Sequence, residues 1–553
     1  MALVREIYQA FEDIVGKKNI SEDLGVLETY RCIPPQSSAH YGPFYKQLTP
    51  LPLAVLLPGS TEEVSNIVRL CNKYKIKFKA GSTFWAAMAY VGSEEAIQLD
   101  MRRMRKLEID EKNQFAIVEP YVIGATLQAE AMKVGLNCNI PGVGCSSSVV
   151  ASTAGWAGSG PTSVGFGSHF ENLLGMEWVL PTGEVVRTGS AGAGSGWFCG
   201  EGPGPSLRGL FRGAMGTTGS MGVCTKIATR LYPWPGPTHL RSTGTVPAYK
   251  ADLPDNIKCY TLCFPDWKAW ADAASLIYDS DVAYLAHRQF NMFGRDVKGA
   301  MIKILTDPDK QLCDIPELMK DPKVKKQTEE MKLEFQIVIA GMTKRDAEYK
   351  ESALDIILKK TGGWKSSLML EPDVANWALL YLLRLGHKNL NYVMCGGYEG
   401  NFGLSSNIYV STALMEEASA FKRKYEKEWT SFAATGGDSE MGGLSMMGGG
   451  GALMWEFFVN FDAYEKASVE GTCAFIDESQ KWMFAKGLGR DMGRGNSDCR
   501  TIEGGDVPQA LHDQIYSKMP QPQVFNYAWK IRETFNPNHL GDTYYKTLTP
   551  KKD

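Results

Sequence analysis

The sequence is poor in the residues and patterns that build metal centres. It contains seven histidines and 12 cysteines in 553 residues, with no HExxH motif and no CxxC pair. The two closest cysteines, Cys259 and Cys263, have no histidine beside them. Zinc and iron–sulfur sites require such clusters, so we expect no metal. We expect the cysteines to be unpaired and buried, as in a reducing compartment.

Long apolar runs and an excess of one charge are also missing. No stretch approaches the roughly 18 apolar residues of a membrane span, and the N-terminus lacks the apolar core of a secretory signal. The formal net charge is −3, from 59 basic and 62 acidic residues. This balance argues against nucleic-acid binding through bulk charge. We therefore expect a cytoplasmic protein with no transmembrane segment and no nucleic-acid partner.

Glycine, by contrast, is in excess. It supplies 57 of the 553 residues, against a usual share of roughly 7%. Between about residues 250 and 390 the pattern turns helical, as in Asp321 to Phe335 and Lys344 to Lys360. The length alone favours two or more domains. The contrast between glycine-rich stretches and a helical stretch also favours two domains. The glycine-rich stretches are Gly142 to Gly222, Gly396 to Gly403, Gly436 to Gly451 and Gly487 to Gly495.

The first chemically suggestive segment is a strand, helix and strand that end in small residues. A strand-like run, Leu53 to Leu57, precedes Ser60-Thr61-Glu62-Glu63, which is typical of a capped helix start. A second strand, Ile76 to Lys79, leads into Ala80-Gly81-Ser82-Thr83. Such a loop lets backbone N–H groups approach a phosphate, although it is neither a Walker loop nor GxGxxG. Taken alone, the loop fits a tight turn better than a phosphate site.

Further segments follow in a definite order. Strands are predicted at Ile97 to Asp100 and Phe115 to Pro120, with a helix over Ala125 to Gly135. A long loop of Gly, Ser and Thr begins at Ile140-Pro141-Gly142. A hairpin then joins the strand Gly175 to Leu180 to the strand Glu184 to Gly189 through Pro181-Thr182-Gly183.

This ordered series resembles the vanillyl-alcohol oxidase/p-cresol methylhydroxylase (PCMH-type) family of FAD-binding flavoproteins. The resemblance covers roughly residues 5–236 and 525–545, and the middle of the chain matches only by position. The motifs that carry it are Pro58 to Val64, Ala80 to Thr83, Gly175 to Pro181, Gly202 to Pro205, Gly216 to Gly219, Gly222 to Lys226 and Thr534 to Leu540.

The resemblance implies an α+β architecture, with a two-lobed PCMH-type FAD-binding domain and an α+β cap domain that carries an antiparallel sheet. We assign residues 1–236 to the FAD-binding domain, 237–489 to the cap or substrate domain, and 490–553 to a C-terminal segment that returns to the first domain. No histidine lies in the first loop for covalent attachment, so noncovalent FAD is expected. The cofactor-binding residues implied by position are Ala80, Gly81, Ser82, Thr83, Pro141, Gly142, Ser152, Thr153, Gly155, Gly222 and Val223.

Three groups are candidates for the chemistry beside the flavin. His169 suits a proton transfer because imidazole titrates near neutral pH, although a structural role is at least as well supported. Ser168 stands where phenol-oxidising relatives carry an Asp. Tyr398 and Glu399 lie among glycines after a predicted strand and are either catalytic or part of an ordinary turn.

The third group consists of Arg490, Arg494 and Arg500, which lie in or just after a glycine-rich stretch. A guanidinium group binds a carboxylate or phenolate through two parallel hydrogen bonds. A loop-bracing role explains these arginines equally well.

The expected function is the FAD-dependent dehydrogenation of a small organic substrate, either a para-substituted phenol or a 2-hydroxyacid-like alcohol. A dehydrogenase is favoured over an oxidase, with an electron-transfer flavoprotein, a cytochrome or a quinone as electron acceptor, and the family pattern implies a homodimer. Two alternatives remain open: a non-redox group-exchange enzyme of the ether-lipid synthase type, and a flavin-carrying electron-transfer subunit.

Overall fold

The computed structural model describes most of the chain. The described residues are 3–31, 49–84, 89–140, 144–155, 160–202, 204, 206–212, 221–245, 248–252, 254–288, 290, 296–384, 397–405, 407–428, 442–447, 452–461, 465–486 and 523–542.

The first lobe is a four-stranded sheet with helices on one face. Its strands lie in the order β1-β2-β4-β3, with β2 and β3 parallel to β4. Ser60 caps the longest helix as predicted, because its Oγ accepts the Glu63 N–H at 3.1 Å. The elements are α1 (Arg5–Val15), β1 (Ile20–Ser21), α2 (Leu24–Glu28), β2 (Val55–Leu56), α3 (Thr61–Tyr74), β3 (Lys77–Gly81) and β4 (Ala96–Asp100).

The second lobe is an antiparallel sheet built around one long strand. β10 pairs with β6, β7 and β8, while β5 and β9 lie at the two edges. The predicted hairpin is confirmed, since β8 and β9 are joined at residues 180–184. The elements are β5 (Leu107–Asp110), β6 (Phe115–Val118), α4 (Gly124–Lys133), β7 (Leu136–Cys138), α5 (Ser163–Phe166), β8 (Leu173–Val179), β9 (Val185–Arg187), α6 (Gly189–Gly192), α7 (Arg208–Phe211) and β10 (Val223–Pro233).

Helix α3 joins the two lobes through polar side chains. Thr61 Oγ1 donates to the buried Glu177 carboxylate on β8 at 2.6 Å, and Ser65 Oγ donates to the Gly183 carbonyl at 2.5 Å. Arg187 Nε also donates to Glu177, at 2.8 Å. These contacts fix the first lobe against the hairpin of the second.

Apart from the C-terminal helix, the remaining described elements form the cap, which contains three antiparallel sheets. Their strand orders are β11-β12, β14-β15-β13-β16 and β17-β19-β18. The elements are β11 (Ser242–Thr243), β12 (Lys250–Ala251), β13 (Ile257–Cys263), α8 (Trp267–Asp279), β14 (Leu285–His287), α9 (Lys298–Thr306), α10 (Ile315–Leu318), α11 (Pro322–Glu330), β15 (Glu334–Ala340), α12 (Lys344–Thr361), β16 (Trp364–Lys365), α13 (Pro372–Arg384), β17 (Gly397–Ser405), α14 (Ile408–Glu428), β18 (Gly442–Met447), β19 (Ala452–Phe461) and α15 (Lys466–Lys486).

The expected α+β class is confirmed, but one helix boundary was wrong. The helical pattern of Asp321 to Phe335 ends at Glu330, and Glu334 and Phe335 begin β15 instead. All seven residues of β15 are buried between packed layers. Its run Phe-Gln-Ile-Val-Ile carries the β-branched residues that favour a strand, and pairing with β13 outweighs the helical spacing.

The last described residues of the chain lie against the first lobe. Helix α16 (Gln523–Phe535) is followed by a turn, and Gly541 then pairs with Phe78 of β3. The Phe78 N–H donates to the Leu540 carbonyl at 3.0 Å, and the Asp542 N–H donates to the Phe78 carbonyl at 2.9 Å. The precise domain limits at 236 and 489 stay predictions.

Candidate functional site

The predicted phosphate loop lies at the carboxyl end of the parallel strands of the first lobe. Ala80 and Gly81 are the last two residues of β3, and Ser82 and Thr83 follow as half-buried bends. Ligands of open parallel sheets bind outside the carboxyl ends of the strands. A Cβ at Gly81 would lie 2.6 Å from both the Ala89 carbonyl oxygen and the Phe84 ring, so the close packing of this loop requires glycine.

The second predicted cofactor segment forms a widened helical turn. Ser152, Thr153 and Gly155 lie within the π-helical turn Ala151–Gly155 and are buried. Ser152 Oγ lies 3.4 Å from Ser147 Oγ. Such turns are frequent at functional sites because they displace backbone groups from the regular ladder. Pro141 and Gly142, predicted for the same region, lie outside the described residues.

Gly222 is held at the start of β10 by the neighbouring strand. Its φ is +106°, and a Cβ there would lie 2.1 Å from the Val179 carbonyl oxygen. Trp178 Nε1 donates to the adjacent Met221 carbonyl at 2.8 Å. Val223, predicted to line the flavin plane, directs its side chain into the core of the first lobe and is 2% exposed. Only the Val223 backbone can therefore face a cofactor.

His169 is buried beside the predicted cofactor loop. Its Nε2 lies 3.3 Å from the Ile140 carbonyl oxygen, at the point where the chain enters the segment 141–143. Burial lowers the pKa of His169 to about 4, against a smaller opposing effect of this backbone contact. The imidazole is consequently neutral near pH 7. This geometry suits a positioning residue for the loop better than a general base.

Of the other catalytic candidates, the structure describes Tyr398 and Glu399 only by their place in the backbone. They are the second and third residues of β17, opposite Asn460 and Val459 of β19. Strand β18, on the other side of β19, is the member of this sheet that lies against α5 and β14. Arg490 and Arg494 lie outside the described residues, so both pairs stay predictions.

Sequence reasoning missed Lys79, which lies directly before the loop. This side chain is fully buried, and its Nζ has no hydrogen-bond partner within the described chain. Burial lowers the pKa of Lys79 to about 7, while nearby Asp542 raises it by less. Residues 76–79 alternate apolar side chains with lysines, a pattern typical of a strand with one solvent-facing side, so no local signal indicated that Lys79 is buried.

A second buried group that the sequence did not reveal lies in the cap. Arg288, Lys298 and Glu334 are all fully buried. Arg288 Nη2 lies 3.3 Å from Glu334 Oε2, and Lys298 Nζ lies 3.2 Å from Glu334 Oε1. The second pair is within ion-pair range but lacks hydrogen-bond geometry. The cluster ties β14 and α9 to the first residue of β15.

The cap contacts the FAD-binding lobes at the segment that precedes His169 in the chain. The Ala286 N–H of β14 donates to the Pro161 carbonyl at 2.9 Å. Phe166 of α5 stacks on Tyr232 of β10 at a centroid distance of 3.8 Å and meets Tyr284 edge-on at 5.5 Å. Residues of the cap and of β10 thus both pack against the segment that leads to His169.

The residues present fit FAD. The small loop of β3, the tight backbone at Gly222 and the buried Lys79 amine suit a flat ring joined to an anionic diphosphate. Among the described residues no group of His, Cys, Asp and Glu is arranged to hold a metal ion. No described helix is both long and apolar enough to cross a bilayer.

Comparison with known proteins agrees with this assignment. Residues 52–189 match the model of an FAD binding domain. The flavoprotein subunit of 4-cresol dehydrogenase (hydroxylating) from Pseudomonas putida is 31% identical over 240 residues, which are 41% of this chain and 42% of that protein. The mitochondrial D-lactate dehydrogenase (cytochrome) of Arabidopsis thaliana is 30% identical over 206 residues, 36% of this chain and 33% of that protein. The chain therefore spans less than half the length of these relatives.

The fold extends the similarity over nearly the whole chain. A crystal structure of p-cresol methylhydroxylase with substrate bound superposes with a TM-score of 0.68 at 18% identity, covering 99% of this chain and 97% of that one. The expected cofactor, FAD, and the expected architecture are confirmed. The chain thus contains an FAD binding domain over residues 52–189, and its overall fold is that of p-cresol methylhydroxylase.

Proposed function

We propose that the protein is an FAD-dependent oxidoreductase that dehydrogenates a small organic substrate, either a para-substituted phenol or a 2-hydroxyacid-like alcohol. The observation that carries this proposal is the FAD-binding domain covered by a cap whose β14 contacts Pro161. The names of the two relatives, a cresol dehydrogenase and a lactate dehydrogenase, support both substrate classes. FAD, when bound, supplies the hydride acceptor at flavin N5.

The chain's own residues would bind FAD, orient the substrate and shield the flavin from water. The loop Ala80 to Thr83 holds the diphosphate, and the cap excludes water from the flavin. Neutral His169 fixes the chain at Ile140 through its 3.3 Å contact. Arg490 and Arg494 are proposed to meet the anionic group of the substrate, and Tyr398 and Glu399 to take part in the proton transfer.

The finer features of the proposal follow the family pattern. We propose a cytoplasmic homodimer that acts as a dehydrogenase and passes electrons to an electron-transfer flavoprotein, a cytochrome or a quinone. Unpaired thiols, such as buried Cys71 and exposed Cys313, are compatible with a reducing compartment.

Anaerobic mixing with candidate substrates tests the proposal. The full-length holoprotein is mixed with para-alkylphenols, benzylic alcohols and 2-hydroxyacids while the visible flavin absorbance is followed. We expect at least one compound to bleach the flavin, and reoxidation by an artificial electron acceptor to restore the colour. Each compound is also mixed with free FAD as the matched control, which should stay oxidised.

Two outcomes would favour the alternatives. A flavin that no compound of the panel reduces, while a protein partner reduces it, would support an electron-transfer subunit. A flavin that stays unreduced overall while substrate groups exchange would support the ether-lipid synthase type. Either result would contradict the dehydrogenation proposed above.

A further inference from the structure

Lys79 lies directly beneath the phosphate loop of the first lobe. It is the third residue of β3, one position before Ala80, and pairs with Gln98 of β4. Side chains alternate along a strand, so Phe78 enters the hydrophobic core of the first lobe while Lys79 lies on the opposite face. The Gln98 amide on that face donates to the carbonyls of Lys79 and Ala89 at 3.1 and 3.0 Å. Lys79 is thereby enclosed between the sheet and the loop.

The C-terminal segment closes the same space from the other side. The Gly92 N–H donates to Asp542 Oδ2 at 2.6 Å, and Ser93 Oγ donates to Asp542 Oδ1 at 3.3 Å. The Asp542 N–H is bound to β3 at Phe78. Asp542 therefore holds together the strand that enters the loop and the chain that leaves it.

Charged groups on four elements lie in the region around Lys79. Asp542 contributes a carboxylate from the C-terminal segment, and Arg532 of α16 lies near that carboxylate. Asp100 of β4 is on the same face, but it is bound to Tyr30 Oη at 2.7 Å and forms an ion pair with Arg102. Lys77 of β3 forms an ion pair with Glu95 at 3.0 Å.

Burial without a hydrogen bond to Nζ disfavours an ammonium ion. A buried charge that has no close partner is costly, and the group neutralises instead. A diphosphate bound at the adjacent loop brings two negative charges into the same region of low dielectric, which favours the ammonium form. The protonation state of Lys79 therefore depends on the cofactor.

We propose that Lys79 is the internal counter-charge of the FAD diphosphate, and that its amine takes up one proton when FAD binds. The side chain is fully buried behind the loop, so it acts through the loop and is a positioning residue. This inference rests on the proposed binding of the FAD diphosphate at the loop Ala80 to Thr83, and it is independent of the redox reaction proposed above.

The sign of the pH dependence follows from the lowered pKa. In the apoprotein Lys79 is neutral above about pH 7, and the diphosphate shifts it toward the ammonium form. One proton then enters with FAD, so the Kd for FAD should rise about tenfold per pH unit between about pH 7.5 and 9. Toward pH 7 this dependence should flatten, because Lys79 of the apoprotein is itself protonated there.

Titration calorimetry of the apoprotein with FAD tests this directly. At about pH 8, the binding enthalpy in two buffers of different ionisation enthalpy gives the number of protons taken up. We expect close to one for the wild type and close to zero for Lys79→Met, which keeps the length of the side chain without its charge. Lys77→Met, on the same strand and face, is the matched control and should retain the uptake.

The proton uptake of the wild type tests the proposal even if Lys79→Met does not fold. An absence of proton uptake by the wild type would overturn the proposal, and it is the result expected if a buried water joined Lys79 Nζ to Gln98 Oε1 instead. An uptake that persists unchanged in folded Lys79→Met would overturn it as well, because another group would then be responsible. A Kd that is constant across the pH range would do the same.

Discussion

Glu334→Gln is expected to lower the free energy of unfolding by about 3–5 kcal/mol. The substitution keeps the shape of the side chain but removes the carboxylate that lies between Arg288 and Lys298 in the cap. All three side chains are fully buried, so water cannot replace the lost charge. Denaturant unfolding followed by tryptophan fluorescence measures the effect through the midpoint of the cap transition.

Glu371→Gln is the matched control for the cap. Glu371 contacts Lys303 and Lys323, as Glu334 contacts two cations, but its side chain is 28% exposed. Exposed ion pairs contribute roughly 0–1 kcal/mol because solvent screens them. Equal losses in Glu334→Gln and Glu371→Gln would show that the buried cluster does not carry the stability assigned to it.

Gly222→Ala is expected to destabilise the FAD-binding domain by about 2–6 kcal/mol and to reduce FAD retention. The added Cβ would lie 2.1 Å from the Val179 carbonyl oxygen, at a φ of +106°. Overpacking costs typically 1–3 kcal/mol, and a strained backbone conformation adds roughly 1–3 kcal/mol. Because Val223 pairs with Val179 in the next register position, relief of the overlap would separate β8 from β10.

Gly194→Ala is the control that separates the steric overlap of an added Cβ from the strain of a positive φ. Gly194 also has a positive φ, +74°, but among the described residues no atom would lie within 4 Å of a Cβ added there. Only the left-handed backbone then opposes alanine, at roughly 1–2 kcal/mol. Thermal unfolding and flavin content of the two variants give the comparison. Similar losses in both would contradict the steric role assigned to Gly222.

Local signals predicted much of the FAD-binding domain. The Ser60 cap, the hairpin at residues 180–184 and the small loop after β3 each depend on interactions within a few residues. The limit of α11 was wrong because burial between layers decided it, and spacing alone does not report burial. The side-chain direction of Val223 likewise depended on packing of β10 against the first lobe.

The candidate site was less predictable for the same reason. His169 stays a predicted site residue, and its lowered pKa comes from burial that no local pattern encodes. Lys79 meets Asp542 across more than 460 positions of sequence, and Arg288 meets Glu334 across 46. Charge partners so far apart in the chain become visible only when the fold brings them together.

The flavin content of the purified full-length protein tests the central claim most directly. We predict a yellow protein with the absorption of oxidised flavin. If attachment is noncovalent, as proposed, acid precipitation should leave near-stoichiometric FAD in the supernatant. Colour that stays in the precipitate would contradict noncovalent attachment alone. A colourless protein that takes up no added FAD would contradict the assignment of the two lobes as a cofactor site.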